Sequence, residues 1–257
     1  MVIRKIKKLF YLVFSFFDKG TDYLDYQNTT FENENLNRNL GLEELTKLKS
    51  QYDNINFQME SEHHVIFSSI SQKFKEGIKS ILEIGTHDGS NVFLLSKMFP
   101  NSQIDTIDLP REHKNFVGFY GRDKDNTLKN FLDTRYRNLK LTKNVNFKEI
   151  NSIRLLNEEK TYDLIWIDGA HGYPFVTIDI MNSLKLINRN GLILCDDVIV
   201  NELSLADKMY RSNASHETIK ELKEEGLINY SLFLKRLEKK FNYFPEDKKY
   251  IALIKKI

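Results

Sequence analysis

Residues 81–91 read ILEIGTHDGSN, an apolar run that passes straight into a glycine-containing turn and then a helix-like stretch, Asn91–Met98. The spacing is Glu83-x-Gly85-x-x-x-Gly89. Gly85 lets the backbone turn sharply, and Gly89 lets a ligand approach the chain closely. The amides that start the helix, at Ser90 and Asn91, face whatever anionic group sits in the crevice. Nineteen residues after Gly89 comes Asp108, at the end of the next apolar run. A carboxylate there accepts hydrogen bonds from both hydroxyls of a ribose, so the two features together point to a nucleoside. Dinucleotide sites use G-x-G-x-x-G to cradle a pyrophosphate. Here His87 holds the second glycine's place, and the wider loop suits a nucleoside carrying an amino-acid portion.

Outward from this stretch, beyond residue 60, strand-like runs alternate with amphipathic ones. Ile81–Ile84, Gln103–Asp108, Val145–Ile150, Tyr162–Asp168 and Leu192–Asp196 read as strands. Asn91–Met98, Thr127–Leu139, Ile153–Glu158 and Phe175–Ile187 read as helix-like segments between them. The alternation predicts an α/β fold, a parallel sheet with helices on both faces. Ile228–Leu237 and Lys249–Ile257 are expected to pair as an antiparallel hairpin around Phe244-Pro245-Glu246-Asp247. Residues 21–57 are polar and Asn-rich with one short helical pattern at Leu42–Leu48, and read as a connecting arm, partly ordered at best. The domain proper is expected over 58–257.

Composition narrows the classes. The 257 residues are 41% hydrophobic and 29% charged, enough to bury a full core. Lys and Arg number 38 against 36 Asp and Glu, a balance that gives no electrostatic reason to expect nucleic acid as partner. A single cysteine, Cys195, excludes a disulfide-stapled scaffold.

Residues 1–20 stand apart. Met1–Lys8 carries four cations, and Leu9–Phe17 is apolar except for Ser15. The apolar run falls well short of the roughly 20 residues a spanning helix needs. Three readings stay open: docking onto the protein's own core or a sister subunit in a homo-oligomer, a helix lying in a membrane interface through residues 1–17, or a signal segment. The first two place the protein in the cytoplasm, the second at the inner face of the membrane.

Residues 162–173 read YDLIWIDGAHGY and 191–198 read GLILCDDV. Asp168, Asp196 and Asp197 finish two strands expected to be neighbours, where ligands of open parallel sheets bind. Three crowded acids repel unless a cation neutralises them, and all-oxygen ligands favour a hard divalent ion, Mg²⁺ first. Such an ion would chelate adjacent substrate oxygens and acidify a hydroxyl. The bland alternatives are that Asp168 is a turn acid and that Asp196 and Asp197 cap the following loop.

The glycine loop with its acidic strand end resembles the class I S-adenosylmethionine-dependent methyltransferases, over about residues 60–200. That resemblance implies a Rossmann-like doubly wound, mostly parallel seven-stranded sheet whose terminal hairpin supplies the reversed strand. It also implies that Glu83 and Gly85 belong to the cofactor loop, Gly85 lining the methionine moiety. Ser90 and Asn91 would hold its carboxylate, Asp108 the ribose, and Ser152 would meet the adenine. The acidic strand ends are similar to those of the metal-dependent O-methyltransferases, both the catechol type and the macrocin-like and mycinamicin-like sugar enzymes. By that likeness Asp168, Asp196 and Asp197 hold the metal and His171 is the base, with Asp197 where the catechol type has Asn. Many relatives read Asp-Gly-Asp-His, whereas Ala170 stands in the third place here. The expected activity is methylation of a hydroxyl on a sugar, glycan or other small polyol.

Other residues receive plainer readings. His171 is alternatively a cap for the helix starting near Pro174. Trp166 and Cys195 are expected in the core, and His63-His64 on the surface. His87 lies near the site without a decided role. The basic tracts Lys235–Lys240 and Lys248–Lys256 read as solvated faces. Arg111–Arg122 and Asn201–Ser215 are expected to supply lid and pocket residues. Two rivals remain: a nicotinamide-dependent oxidoreductase or epimerase on the same layered fold, and a cofactor-binding module without catalysis.

Overall fold

The computed structural model describes residues 23–52, 61–118, 121–124, 126–201, 212–238 and 248–257. Residues 1–22, and with them the readings of the N-terminal segment, lie outside the described residues, as does the turn at 244–247. Among the described residues, no helix is long and apolar enough to cross a membrane.

Seven strands form one sheet: β1 (Ser80–Ile84), β2 (Gln103–Asp108), β3 (Val145–Glu149), β4 (Tyr162–Ile167), β5 (Ile187–Val198), β6 (Ile228–Leu234) and β7 (Tyr250–Lys256). Their spatial order is β3-β2-β1-β4-β5-β7-β6. The pairs from β3 to β5 are parallel, and β7 runs antiparallel to both β5 and β6. The expected architecture is therefore present, down to the reversed strand. The order reverses between β1 and β4, which opens a crevice at their carboxyl ends.

Alternation along each strand divides the core between the two faces of the sheet. On β4, Leu164 and Trp166 join one cluster while Ile165 and Ile167 join the other. The second cluster is closed by α7 (Phe175–Leu186) and α8 (Ala214–Glu224), through Val176, Ile180, Ile219 and Leu222. The first is closed by α3 (His63–Phe74) and α4 (Ser90–Met98), and also by α1 (Tyr23–Asn33) and α2 (Arg38–Lys49).

The last pair corrects the expectation of a loosely ordered arm. Phe31 and Leu45 are buried in the first cluster, and the Phe31 ring meets Phe233 edge to face at 4.9 Å. Polar residues hide the pattern: α1 is mostly polar because its buried side also caps a strand edge. Gln27 accepts from the Leu234 N–H at 2.8 Å and donates to the Leu234 carbonyl at 3.2 Å, replacing a neighbouring strand. Tyr26 donates its hydroxyl to the Leu232 carbonyl at 2.8 Å. The outer edge of β6 is thereby closed to further pairing. Arg38 fixes Glu62 with two hydrogen bonds of 2.7 and 2.8 Å, and the Glu62 N–H donates to the Lys235 carbonyl.

Candidate active site

A cavity of about 770 Å³ opens at the carboxyl ends of the first four strands, a volume typical of small-molecule sites. Its wall takes Ile84, Gly85 and His87 around the end of β1, and Ile107, Asp108 and Leu109 around the end of β2. Ile150, Asn151 and Ser152 follow β3, and Asp168, Gly169 and Ala170 follow β4. A short helix, α5 (Lys114–Gly118), adds Lys114, Asn115 and Phe116, with His113 before it and Arg122 beyond. The expectation that 111–122 would contribute pocket residues thus holds, while 202–211 lie outside the described residues.

The turn after β1 depends on its glycines for two different reasons. Gly85 has φ of +107°, and a Cβ there would stand 2.2 Å from the Asp168 carbonyl oxygen. Its missing side chain is what lets the ends of β1 and β4 lie together. Gly89, at φ +78°, turns its open side toward α6 (Thr127–Lys140), where a Cβ would meet the Arg135 carbonyl at 3.3 Å. Gly89 therefore admits a helix rather than a ligand, a correction to the sequence reading.

Glu83, Ser90 and Asn91 are also engaged internally. Glu83 is fully buried, accepting from Asn91 Nδ2 at 2.7 Å and from the Thr106 hydroxyl. Burial pushes its carboxyl up to about 8, against the lowering effect of those two donors. Ser90 donates its hydroxyl to Asp88 Oδ1 at 2.6 Å. These residues brace the loop from behind, and their side chains are not on the cavity wall. The implied carboxylate role of Ser90 and Asn91 has no support from their side chains.

Asp108 is on the wall, as expected, and it is held in place. Its Oδ1 accepts from the Leu109 N–H at 2.8 Å and its Oδ2 from the His87 N–H at 3.0 Å. Arg135, whose side chain is fully buried, donates to the same Oδ2 and to the His87 carbonyl. Arg135 was not legible as a site residue, because an arginine in an amphipathic helix ordinarily reads as solvated. Ser152 lies on the wall beside Asp179, a buried acid of α7 that the sequence reading also missed. Asp179 Oδ1 has no hydrogen-bond partner, and burial pushes its carboxyl up to about 7.

Asp168, Asp196, Asp197 and His171 do come together. His171 Nε2 lies 3.6 Å from Asp168 Oδ1 and 3.7 Å from Asp197 Oδ2. Burial lowers the imidazole pKa, opposed by Asp197, so the ring is held neutral and able to accept a proton. No side chain caps α7, which removes the capping role for His171. Burial and the neighbouring Asp196 push the Asp168 carboxyl well up.

Two lysines complete the cluster. Lys235 Nζ lies 2.5 Å from Asp196 Oδ2 and 2.5 Å from Asp197 Oδ1, and Lys249 Nζ lies 2.5 Å from Asp197 Oδ2. Burial favours protonated Asp197, but the ammonium groups of Lys235 and Lys249 outweigh it and hold the carboxyl low. The cation that the crowded acids require is therefore supplied by the chain. Among the described residues, no group of three or more His, Cys, Asp or Glu is arranged to hold a metal ion. With Lys235 seated between two of the three expected ligands, the acids do not fit a divalent ion. The expectation of solvated basic tracts is corrected at Lys235 and Lys249.

The neighbouring residues complete the picture. Trp166 and Cys195 are fully buried, as expected, and burial raises the thiol well above its usual range, which leaves it inert. His63 and His64 are not on the surface. His64 is buried, and His63 stacks on Trp166 at 5.3 Å between ring centres.

Residues 82–198 match a family model described as a methyltransferase domain. Among solved structures, the chain is similar to the O-methyltransferase TomG from Streptomyces achromogenes, involved in tomaymycin synthesis and solved in complex with SAM. That likeness is 13% in identity over 89% of this chain and 95% of the other, with a TM-score of 0.54. The cofactor-bound Rv0187 from MTB is 14% identical over 96% of this chain and 94% of the other, with a TM-score of 0.53. At such identities the likeness shows a shared fold. No curated protein matches the chain in sequence.

Proposed function

We propose that this chain, whose residues 82–198 match a methyltransferase-domain model, is a class I S-adenosylmethionine-dependent methyltransferase that methylates a hydroxyl oxygen of a sugar or other small polyol. One observation carries the reading. A single cavity joins Gly85, Asp108 and Ser152, which suit a nucleoside, to Asp168 at the edge of the His171 cluster.

The residues present fit S-adenosylmethionine. Asp108 has lone pairs to accept ribose hydroxyls, while Ile107, Leu109, Phe116 and Ile150 offer apolar surface for a base. The unpartnered Asp179 oxygen offers a further acceptor to a bound N–H or O–H donor. When bound, the cofactor supplies an electrophilic methyl on a positively charged sulfur.

The remaining work falls to the chain. His171, neutral and close to two acids, accepts the proton of the acceptor hydroxyl as the oxygen attacks. Asp168 and Asp197 flank the ring at 3.6 and 3.7 Å, and the ionised Asp197 stabilises the imidazolium that forms. Holding acceptor and cofactor in one cavity contributes the positioning on which such a transfer depends. Tyr173 lies at the wall and is 74% exposed, an aromatic face suited to packing against the C–H face of a sugar ring.

The test is an assay with methyl-labelled S-adenosylmethionine against sugars, nucleotide sugars and catechols. Label transfer to a sugar hydroxyl is the expected result. Transfer to nitrogen or carbon acceptors alone would overturn the reading, and transfer to catechols alone would remove the sugar class.

A further inference from the structure

The acids at the carboxyl ends of β4 and β5 set out a cation site, and the chain fills it itself. Lys235 follows directly after β6, and both of its backbone polar groups are fixed. Its N–H donates to the Lys249 carbonyl at 2.9 Å, and its carbonyl accepts from the Glu62 N–H at 2.8 Å. The side chain is 12% exposed and ends 2.5 Å from an oxygen of each of Asp196 and Asp197. Glu62 is itself clamped by Arg38, so the segment presenting the lysine is held from outside the sheet.

We propose that the ammonium of Lys235 is a built-in cation that occupies the place of a divalent metal between Asp196 and Asp197, and that methyl transfer here needs no divalent ion. The proposal rests on the methyltransferase reading for its second clause only. The occupancy of the acids stands on the geometry alone.

The charges support this arrangement. Lys235 and Lys249 face Asp196 and Asp197, two cations against two carboxylates. A divalent ion added to this set would meet two ammonium groups within the same shell, a repulsion that grows as solvent is excluded. The remaining side chains at the cluster are Asp168 and His171, whose Nε2 lies 3.6 Å from Asp168 Oδ1 and 3.7 Å from Asp197 Oδ2. Lys235 is thus a positioning residue. It holds the two acids at a fixed separation and leaves Asp197 beside His171.

A lysine with a merely structural role would, when removed, weaken the fold without creating a metal site. A built-in cation, when removed, frees Asp196 Oδ2 and Asp197 Oδ1, beside Asp168, to take a hard ion. The experiment is Mn²⁺ titration of the full-length protein, followed by electron paramagnetic resonance and calorimetry, for wild type, Lys235→Ala and Lys235→Met. Wild type is expected to bind no Mn²⁺ at this site, and each variant to bind about one ion per chain. Turnover of wild type should change less than about 2-fold in excess chelator, whereas residual turnover of the variants should depend on added Mn²⁺. Uptake of Mn²⁺ by wild type, abolished in Asp197→Asn, would overturn the proposal, and that arm requires no lysine variant to fold. Because metal binding is read without turnover, a chain that transfers no methyl group still shows whether Lys235 keeps the acids from a metal. Failure of the methyltransferase reading would show separately, as absence of cofactor binding.

Discussion

Arg135, fully buried on α6, donates to Oδ2 of Asp108, the acid that closes β2 on the cavity wall. The same arginine donates to the His87 carbonyl, while the His87 N–H donates back to Asp108. One buried guanidinium therefore sets the direction of the carboxylate and the path of the loop beside it. Arg135→Leu leaves Asp108 without its charged partner and should lower stability by roughly 1–3 kcal/mol. Cofactor affinity should fall with it, since the ribose acceptor loses its orientation. Thermal unfolding and calorimetry check both, and a variant that unfolds earlier yet binds S-adenosylmethionine as tightly as wild type would separate Arg135 from the site.

Asp179 gives a prediction in pH. Burial raises its carboxyl to about 7, from 3.8. The folded protein thus holds a proton that the unfolded chain releases near the lower value. Stability from this group is full below the unfolded pKa and is lost as pH rises toward about 7. Between the two values the loss is about 1.4 kcal/mol for each pH unit. Asp179→Asn should flatten the fall in melting temperature over that range. An unchanged slope would mean that Asp179 is ionised in the folded protein.

His171→Ala should lower kcat by roughly 10²–10⁴-fold, the usual share of general-base catalysis. The affinity for S-adenosylmethionine should stay near wild type, because the imidazole sits beside Asp168 and Asp197 rather than at Asp108. A loss of only a few-fold would leave His171 as an orienting residue. Stopped-assay rates at saturating cofactor decide between them.

Phe31→Ala tests the N-terminal helices as part of the core. Its ring is buried and packs edge to face on Phe233, so its removal should cost about 3–5 kcal/mol. Denaturant unfolding that shows less than about 1 kcal/mol would return 23–49 to the status of an accessory arm.

β1, β2 and β4 were legible because each is short, largely apolar and bounded by turn residues, and each appears within a residue or two of expectation, whereas β5 begins five residues before the expected Leu192. Asp108, Asp168, Asp196 and Asp197 were legible for a related reason: each ends a strand, and the topology brings those ends together. Lys235 and Lys249 were not, since a lysine near a hairpin end ordinarily points to water, and only the register of β6 on β7 aims these two at Asp197. Gly89 misled because a positive φ serves helix packing as well as ligand approach. Gln27 and Phe31 were hidden in a polar segment, where amphipathic spacing was diluted by side chains that replace backbone hydrogen bonds.

Binding of S-adenosylmethionine through Asp108, in the cavity at the carboxyl ends of β1 to β4, is the step on which the proposed activity depends. The most direct measurement is calorimetric titration of the full-length protein and of Asp108→Ala with this cofactor. Wild type should bind saturably, and the variant should bind more weakly by roughly 1.5–3 kcal/mol, the scale of hydrogen bonds to a charged group. Equal affinity in the two proteins, or no binding by wild type, would contradict it.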